Sequence, residues 1–159
     1  MTPPDETGIR EATPADVEAI LALMPRLAEF ELPPGRDRRD LWRHDAVLLR
    51  QWARGEAEHC LVHVATASGD VVGVIMTTLR DELLSGEPSA HLEAIAVAAG
   101  AEGRGIAGRL IAVSETAAAA RGARSMTLHV FRLNRRARAL YERLGYDEEL
   151  LRCSKALEP

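Results

Sequence analysis

The chain has 159 residues, of which 47% are hydrophobic and 28% are charged. This length fits one domain with an ordinary buried core, and the composition excludes disordered, collagen-like and fibrous proteins. The net charge of −4 argues against a general nucleic-acid binder.

The first third of the chain is predicted to contain one strand and two helices. Thr13 is placed to cap a helix that begins at Pro14, and Asp16 can reach back to the cap. Pro25 interrupts the helical spacing of the apolar residues, so we expect the helix to kink or split there. The predicted elements are a strand over 9–12, the kinked helix over 14–30, a charged loop over 32–40 and a helix over 41–54.

The rest of the chain is predicted to alternate strands with two more helices. Ser68-Gly69-Asp70 is a hairpin signal between two strand-like runs. Asn134 is typical of a residue that caps a helix, and Gly122 and Gly145 are typical of residues just after one. The predicted elements are strands over 59–67, 71–79, 91–97, 126–131 and 149–157, with helices over 105–121 and 134–144.

This order of elements indicates the fold class. Three consecutive strands favour antiparallel pairing, and the strand-helix-strand unit over 91–131 favours a parallel pair. We therefore expect a single α/β domain over 1–159, of the α+β type, in which helices cover a mixed, mostly antiparallel sheet. The order excludes a purely parallel, doubly wound sheet.

A glycine-rich turn, GRGIAG (103–108), opens the third helix. It matches the dinucleotide-binding pattern G-x-G-x-x-G, but that pattern should open a doubly wound fold and be followed by an acidic residue about 20 positions on. Here the turn follows four strands, and the next strand, MTLHVF, carries no acid. Backbone N–H groups, the helix dipole and the flanking Arg104 and Arg109 favour a phosphate ligand at this turn.

Three segments in order resemble the GNAT superfamily of N-acetyltransferases. The motif EGRGIA (102–107), preceded by the strand HLEAIAV, is similar to the family's acetyl-CoA motif Q/R-x-x-G-x-G/A. Gly105 and Ala107 match its two small positions, and Glu102 stands where Gln or Arg is usual. IREATPADVEAI resembles the family's opening strand and first helix, and NRRARALYERLGY (134–146) resembles its late segment.

The resemblance implies a GNAT fold, with a twisted sheet of six to seven strands flanked by about four helices. It implies transfer of the acetyl group of acetyl-CoA to a primary amine by direct attack in a ternary complex, with CoA as the product. The residues implied to hold acetyl-CoA are Ile95, Ala96, Val97, Glu102, Gly103, Arg104, Gly105, Ile106, Ala107, Gly108, Asn134 and Arg136. Arg136 belongs to an arginine cluster whose alternative interpretation is a solvated face.

Glu93 is the candidate general base, because an alkylamine with a pKa near 10 must lose a proton before it attacks. Glu93 interrupts an apolar strand, and regular alternation places it on the side of Ile95 and Val97, opposite Leu92. In the family an acid at the matching position often serves as the base; the alternatives are an exposed carboxylate or one paired with an arginine. His91 shares this face as a second candidate and as a substrate contact, with an ordinary strand histidine as the simpler interpretation.

Tyr141 is the candidate acid that protonates the departing thiolate, since a thiol has a pKa near 8.5. Its helical spacing with Ala137, Leu140 and Leu144 directs it inward. The resemblance favours a catalytic role for this tyrosine. The alternative is a core tyrosine whose hydroxyl has found a partner.

The acceptor amine is the least determined part of the site. Glu29 and Glu31 are candidates for attracting a cationic amine, with an acidic helix end as the alternative. LAEFELPPG and HLEAIAV faintly resemble diamine acetyltransferases, so a small amine leads, and a protein N-terminus or an antibiotic amine are the alternatives. Residues 98–145 have a net charge of +6 and the remainder −10, which suits a polyanionic cofactor beside a cationic amine.

Other features set the expected compartment and partners. Cys60 and Cys153 form no spacing motif, MTPPDETG is no signal peptide, and no apolar run approaches the roughly 18 residues of a membrane helix. We therefore expect a cytoplasmic protein without a metal, membrane or nucleic-acid partner, whose partner is a small amine, with a homodimer left open. Two alternative functions stay open: a non-catalytic acetyl-CoA sensor, because of Glu102, and a dinucleotide enzyme.

Overall fold

A mixed sheet runs through the computed structural model, which describes residues 7–158. Within these residues its five strands lie side by side in chain order: β1 (Gly8–Glu11), β2 (Cys60–Ala67), β3 (Asp70–Asp81), β4 (Pro88–Val97) and β5 (Met126–Leu128). The first four strands pair antiparallel, and β5 lies parallel to β4. The predicted mixed, mostly antiparallel fold class is confirmed.

Helices cover both faces of this sheet. The α-helices are α1 (Val17–Leu23), α2 (Arg43–Ala53), α3 (Ile106–Ala120) and α4 (Arg135–Arg143). Pro25 lies in a 3₁₀ turn, Met24–Ala28, that follows α1 directly, so the predicted split of the first helix occurs there. Further 3₁₀ turns occupy Pro14–Asp16, Arg38–Leu41 and Ala99–Ala101.

The start of the first helical segment is fixed by Asp16. Thr13 N–H donates to Asp16 Oδ2 at 2.8 Å, as predicted, and Arg10 donates two further hydrogen bonds to the same carboxylate at 2.8 and 2.9 Å. The hydrogen bonding by Arg10 lowers the pKa of Asp16 to about 2. One carboxylate therefore caps the helical segment and ties it to β1.

The predicted number of strands is too high for the described residues. The run over 149–157 forms no helix or strand, and Leu150, Leu151 and Leu157 are 65%, 85% and 84% exposed. The fifth strand ends at Leu128 rather than at residue 131. Short apolar runs look like strands in a sequence, but a strand also needs an edge to pair with, and β5 provides only three residues.

Two apolar cores lie on opposite sides of the sheet. The core under α1 and α2 includes Ile20, Met24, Leu49, Val64 and Met76. The core under α3 includes Ile75, Leu92, Ile106, Leu110 and Ile111. A buried hydrogen bond of 2.7 Å between Thr77 Oγ1 and Ser114 Oγ fastens β3 to α3.

Helix α3 approaches β3 closely at Gly73. A Cβ atom at this position would lie 3.2 Å from Leu110 Cδ1, 3.3 Å from Ile106 Cγ2 and 3.4 Å from Ala65 Cβ. The missing side chain therefore lets the first turns of α3 settle onto the sheet.

Gly73→Ala is expected to lower the free energy of unfolding by about 1–3 kcal/mol, because an added methyl group must displace side chains of a packed core. Gly100→Ala is the matched control, since its φ is not positive and nothing lies within 4 Å of its Cβ position. Denaturant unfolding of both variants and the parent measures the difference. If Gly73→Ala proves as stable as Gly100→Ala, α3 does not pack tightly against β3 at Gly73.

Candidate active site

Strands β4 and β5 separate after a short contact. Their parallel pairing joins residues 90–92 to Met126–Leu128 and goes no further. Strand β4 continues to Val97 and remains paired with β3 along its other edge. Within residues 7–158, no strand pairs with the β5-facing edge of β4 beyond Leu92, which leaves a gap in the sheet.

The main chain of Ile95 and Val97 faces this gap. Ala98 N–H donates to the carbonyl of Val72 at 2.8 Å, and successive residues of an antiparallel strand direct their backbone groups to alternate sides. Ala96 therefore directs its N–H and C=O groups to β3, and its side chain is buried in the core under α1 and α2. Ile95 and Val97 direct theirs into the gap.

The predicted glycine turn opens α3 and faces open space. Gly103 and Gly105 have φ angles of 75° and 70°, in the left-handed region that favours glycine. A Cβ atom at Gly103, Gly105 or Gly108 would meet nothing within 4 Å. No side chain of the described residues caps α3, and the N–H groups of Ile106, Ala107 and Gly108 have no partner within the helix. Together with the helix dipole, these donors favour an anion.

Glu102, which precedes the glycine turn, is held between two arginines from distant parts of the chain. Arg136 Nη1 lies 2.9 Å from Glu102 Oε1, and Arg26 contacts the same oxygen. Hydrogen bonding to Arg136, reinforced by Arg26, lowers the pKa of Glu102. Arg26 also pairs with Glu29 and donates from Nε to Val97 O at 3.0 Å. Two positive charges therefore meet the negative charge that Glu102 brings to the turn.

A β-bulge turns the side chain of Glu93 away from those of Ile95 and Val97. The register with β3 shifts here, so that Leu92 and Ala94 pair with consecutive residues of β3 and Glu93 has no partner. Leu92, Ile95 and Val97 all pack in the core under α3, whereas Glu93 faces α2. The prediction that Glu93 lies on the side of Ile95 and Val97 is therefore wrong, because regular alternation ends at a bulge.

Glu93 lines a cleft of about 310 Å³ between α2 and the sheet. Thr78 Oγ1 donates a hydrogen bond to Glu93 Oε1, and Arg80 Nη1 lies 3.7 Å from the same oxygen. The other lining residues are His44, Asp45, Leu48 and His59. The cleft therefore combines two carboxyl groups and a guanidinium with an apolar side chain.

Asp45 is the cleft residue that the sequence analysis missed. It lies in the first turn of α2, and burial, with the charge of Glu93 as the second cause, raises the pKa of Asp45 to about 7. Burial and these two carboxyl groups also raise the pKa of Cys60 to about 12. In the sequence Asp45 is one of several charged residues at the start of a helix, and only the docking of α2 on the sheet distinguishes it.

Tyr141 is buried on the opposite face of the sheet from Glu93. Its ring belongs to the core under α3, against which Ile95 and Val97 also pack, and it meets the ring of Tyr146 edge to face at 5.9 Å between centroids. Burial raises the pKa of Tyr141 to about 12, so its hydroxyl stays protonated at neutral pH. Glu93 and Tyr141 therefore approach β4 from opposite faces.

His91 is 4% exposed and has partners of its own. Its Nδ1 lies 2.7 Å from Thr127 Oγ1, and its ring contacts that of His129. Burial, with the charge of Arg80 as the second cause, lowers the pKa of His91 to about 4, so the ring is neutral at neutral pH. His91 is not among the residues that line the cleft, and its contact with a substrate stays a prediction.

The remaining predicted site residues lie at the surface or at a helix start. Asn134 caps α4, because its Oδ1 accepts a hydrogen bond from Ala137 N–H at 3.2 Å. Glu29 and Glu31 are exposed, and Glu29 is paired with an arginine, as described above. Arg104 is exposed on the glycine turn. The positions of these residues do not test their predicted contacts with acetyl-CoA or with the acceptor amine, which stay predictions.

Neither a metal-binding cluster nor a membrane-spanning helix occurs among the described residues. No group of three or more histidine, cysteine or acidic side chains there is arranged to hold a metal ion. No helix of residues 7–158 has the length and apolar character needed to span a bilayer.

Comparison with known proteins identifies the family. The sequence profile of the acetyltransferase (GNAT) family matches residues 22–146. The chain belongs to this family. An uncharacterized N-acetyltransferase of Bacillus subtilis (strain 168), YhfO, is 30% identical over 142 residues, which span 89% of this chain and 91% of that relative. The chain is thus an acetyl-CoA-dependent N-acetyltransferase, and the predicted GNAT membership is confirmed.

Solved structures share the fold at low sequence identity. The aminoglycoside N-acetyltransferase AAC(6')-Iy in complex with CoA superposes with a TM-score of 0.76 at 23% identity, over 98% of both chains. A ribosomal-protein-alanine N-acetyltransferase from Brucella melitensis biovar Abortus 2308 gives 0.70 at 20% identity, over 95% of this chain and 99% of that one. At these identities the likeness concerns the fold alone.

Proposed function

We propose that this acetyltransferase acts on the primary amine of a small cationic molecule, which binds in the cleft between α2 and β4. The position of Glu93 carries the proposal. The bulge turns its carboxylate into the cleft, while Ile95 and Val97 of the same strand present backbone groups to the gap. A base and a site for a thioester therefore adjoin on one strand, which suits direct attack in a ternary complex.

The residues around the gap fit acetyl-CoA, which supplies the acetyl group as a thioester when bound. The open N–H and C=O groups of Ile95 and the N–H group of Val97 suit the amide-bearing arm, which would lie beside β4 like an added strand. A backbone N–H here is also suited to hold the oxyanion that forms during transfer.

The glycine turn suits the pyrophosphate. Its free N–H groups and the space in front of Gly103, Gly105 and Gly108 leave room for phosphate oxygens to approach the backbone. Arg104 and Arg136 are exposed nearby as partners for further phosphate charge. Because Glu102 is already paired with two arginines, its carboxylate is compatible with a polyanion at the turn.

Glu93 is the proposed general base. An alkylamine is mostly protonated at neutral pH and cannot attack in that form. The carboxylate at the cleft wall is placed to accept a proton from the amine, directly or through water. The hydrogen bond from Thr78 fixes its orientation.

Tyr141 is the proposed acid for the leaving thiolate. Its protonated hydroxyl belongs to the face against which Ile95 and Val97 pack, on the far side of β4 from the cleft. Attack from one face and protonation from the other keep the two proton transfers apart.

The charge of the cleft favours a cationic acceptor. Two carboxyl groups, Asp45 and Glu93, line it against one guanidinium, Arg80. The fold is shared with enzymes described as acting on aminoglycosides, which are polycationic amines, and with an enzyme described as acting on a protein alanine. The second candidate acceptor is therefore a protein N-terminus.

Release of free CoA from acetyl-CoA tests the proposal against a panel of spermidine, putrescine, lysine, kanamycin and an alanine-terminated peptide. We expect release with at least one of the small cationic amines, and product mass increased by one acetyl group. Release with the peptide alone would replace the small-molecule acceptor with a protein one. No release with any amine, together with tight binding of acetyl-CoA, would favour a sensor.

Glu93→Gln is expected to lower kcat/KM at pH 7 by roughly 10²- to 10⁴-fold, because the variant keeps the size of the side chain and loses the base. The loss should shrink above pH 9, where more of the amine is already neutral. Glu87→Gln is the matched control, since Glu87 pairs with Arg124 away from the cleft. Equal turnover of Glu93→Gln and Glu87→Gln at all pH values would exclude Glu93 as the base.

Tyr141→Phe is expected to lower kcat by roughly 10²-fold while leaving the Kd for CoA unchanged, because only the proton donor is removed. Tyr146→Phe serves as control; it removes a hydroxyl that donates to Glu115 at 2.7 Å on the same face. Calorimetric titration with CoA and steady-state rates measure the two quantities. A Tyr141→Phe enzyme as fast as the parent would make Tyr141 a packing residue.

A further inference from the structure

We propose that Asp45 is a second proton-accepting carboxyl group of the cleft, which binds the acceptor's ammonium group together with Glu93 and takes its second proton. This inference rests on the proposed function and extends it to a residue of α2.

The two carboxyl groups of the cleft have different surroundings. Glu93 accepts a hydrogen bond from Thr78 and lies near Arg80. Within the described residues, no side chain or backbone group hydrogen-bonds or pairs with the carboxyl group of Asp45. An unpaired carboxyl group lining a cleft is available to a ligand, and the ligand that complements it carries a positive charge and N–H donors.

The groups that face Asp45 come from each element around the cleft. They are His44 on α2, His59 before β2, Cys60 on β2, Arg80 on β3 and Glu93 on β4. Burial first, and then the charge of Glu93, raise the pKa of Asp45 to about 7. The pKa of Cys60, raised to about 12, leaves its thiol neutral. Asp45 is therefore a carboxyl group of this set that has an unpaired side chain and changes charge near neutral pH, and a base is most effective when its pKa lies near the working pH.

Acetyl transfer to an ammonium group releases enough protons for two carboxyl groups to accept one each. A primary ammonium group has three N–H bonds and the amide product keeps one, so two protons leave the nitrogen in each turnover. In the first step an N–H bond breaks, its electron pair stays on nitrogen, and the proton moves to Glu93. The neutral amine then forms the C–N bond as the C–S bond breaks, and the sulfur keeps that electron pair.

The second proton leaves the nitrogen for Asp45, and Tyr141 protonates the thiolate. Asp45 and Glu93 return their protons to solvent, and Tyr141 regains one. The net reaction converts an ammonium group and a thioester into an amide, a thiol and one released proton, so atoms and charge balance.

The proposal also narrows the acceptor class. An ammonium group between Asp45 and Glu93 gains two opposite charges, whereas a carboxylate beside the reacting amine would meet like charges. Leu48 adds an apolar contact to the same cleft. We therefore expect amines with an alkyl stem and no nearby anion to be preferred over free α-amino acids.

The test compares the parent with Asp45→Asn, using the amine with which the parent releases most CoA. The kcat/KM of the parent should rise with pH through an inflection near 7, because Asp45 must be ionised to accept the proton. Asp45→Asn should lose this inflection, fall at least tenfold at pH 8 and raise KM for the amine, with KM for acetyl-CoA unchanged. Asp45→Glu, which keeps the carboxyl group, should restore the inflection.

Asp40→Asn is the matched control, since Asp40 is exposed and pairs with Arg43 outside the cleft; its profile should match the parent's. Thermal unfolding separates catalysis from misfolding. A folded-state pKa above the unfolded value means that stability falls as pH rises from about 4 to 7. Asp45→Asn should therefore unfold at a higher temperature than the parent above pH 7, whereas a misfolded variant would unfold at a lower one.

The outcomes separate this inference from the proposed function. An active parent together with an Asp45→Asn variant that keeps the inflection near pH 7 and the parent's KM for the amine overturns the role of Asp45 alone. A parent that releases no CoA with any amine of the panel overturns the proposed function, and the role of Asp45 with it.

Discussion

Among residues 7–158, strand β4 is paired along only one of its edges beyond Leu92, and the proposed site depends on this constraint. A three-residue parallel contact with β5 is enough to place the strand, but it leaves the backbone groups of Ile95 and Val97 without a ladder. Backbone groups inside a protein need partners. Arg26 satisfies the carbonyl of Val97, and the other groups remain open to a ligand. The sheet is kept together at this point by its two cores, which pack on both faces of β4.

The bulge at Glu93 adds a second constraint to the same strand. Without it, a charged side chain at this position would alternate into the core under α3, where Leu92 and Ile95 now lie. One unpaired residue keeps that core apolar and delivers the carboxylate to the other face. The proposed removal of the proton on the side of α2, away from the apolar packing around Tyr141 on the side of α3, depends on this irregularity.

The order of elements and the glycine turn could be read from the sequence because local signals specify them. The capping by Asp16, the split at Pro25 and the hairpin between β2 and β3 depend on residues close together in the chain. The face of the sheet on which the Glu93 side chain lies could not be predicted, because the alternation of residues in the sequence does not show where a bulge occurs. The run over 149–157 looked like a strand for a related reason, since strand formation depends on a partner edge that its own residues do not describe.

The features of the site that the sequence did not indicate are those that depend on distant contacts. Asp45 becomes a cleft residue only because α2 docks against β3 and β4. Glu102 pairs with Arg26, which lies 76 positions away in the chain. No spacing pattern in the sequence therefore indicates this pair. A carboxylate at the glycine turn, read alone, suggests weaker affinity for phosphate. With Arg26 and Arg136 paired to it, the negative charge of this carboxylate is balanced.

Arginine outnumbers lysine 19 to 1 in this chain. Arg26 is one position at which the contacts explain why the residue is an arginine. Its guanidinium group contacts Val97 O, Glu29 and Glu102 at the same time, each through a different nitrogen. A lysine ammonium is a single point on a flexible stem and cannot span three acceptors in fixed directions. The rigid, planar group therefore works as a brace between the end of the first helical segment, the end of β4 and the turn before α3. A displacement of any one of these three segments strains the other two, which makes the position of the first helical segment mechanically dependent on the proposed cofactor site.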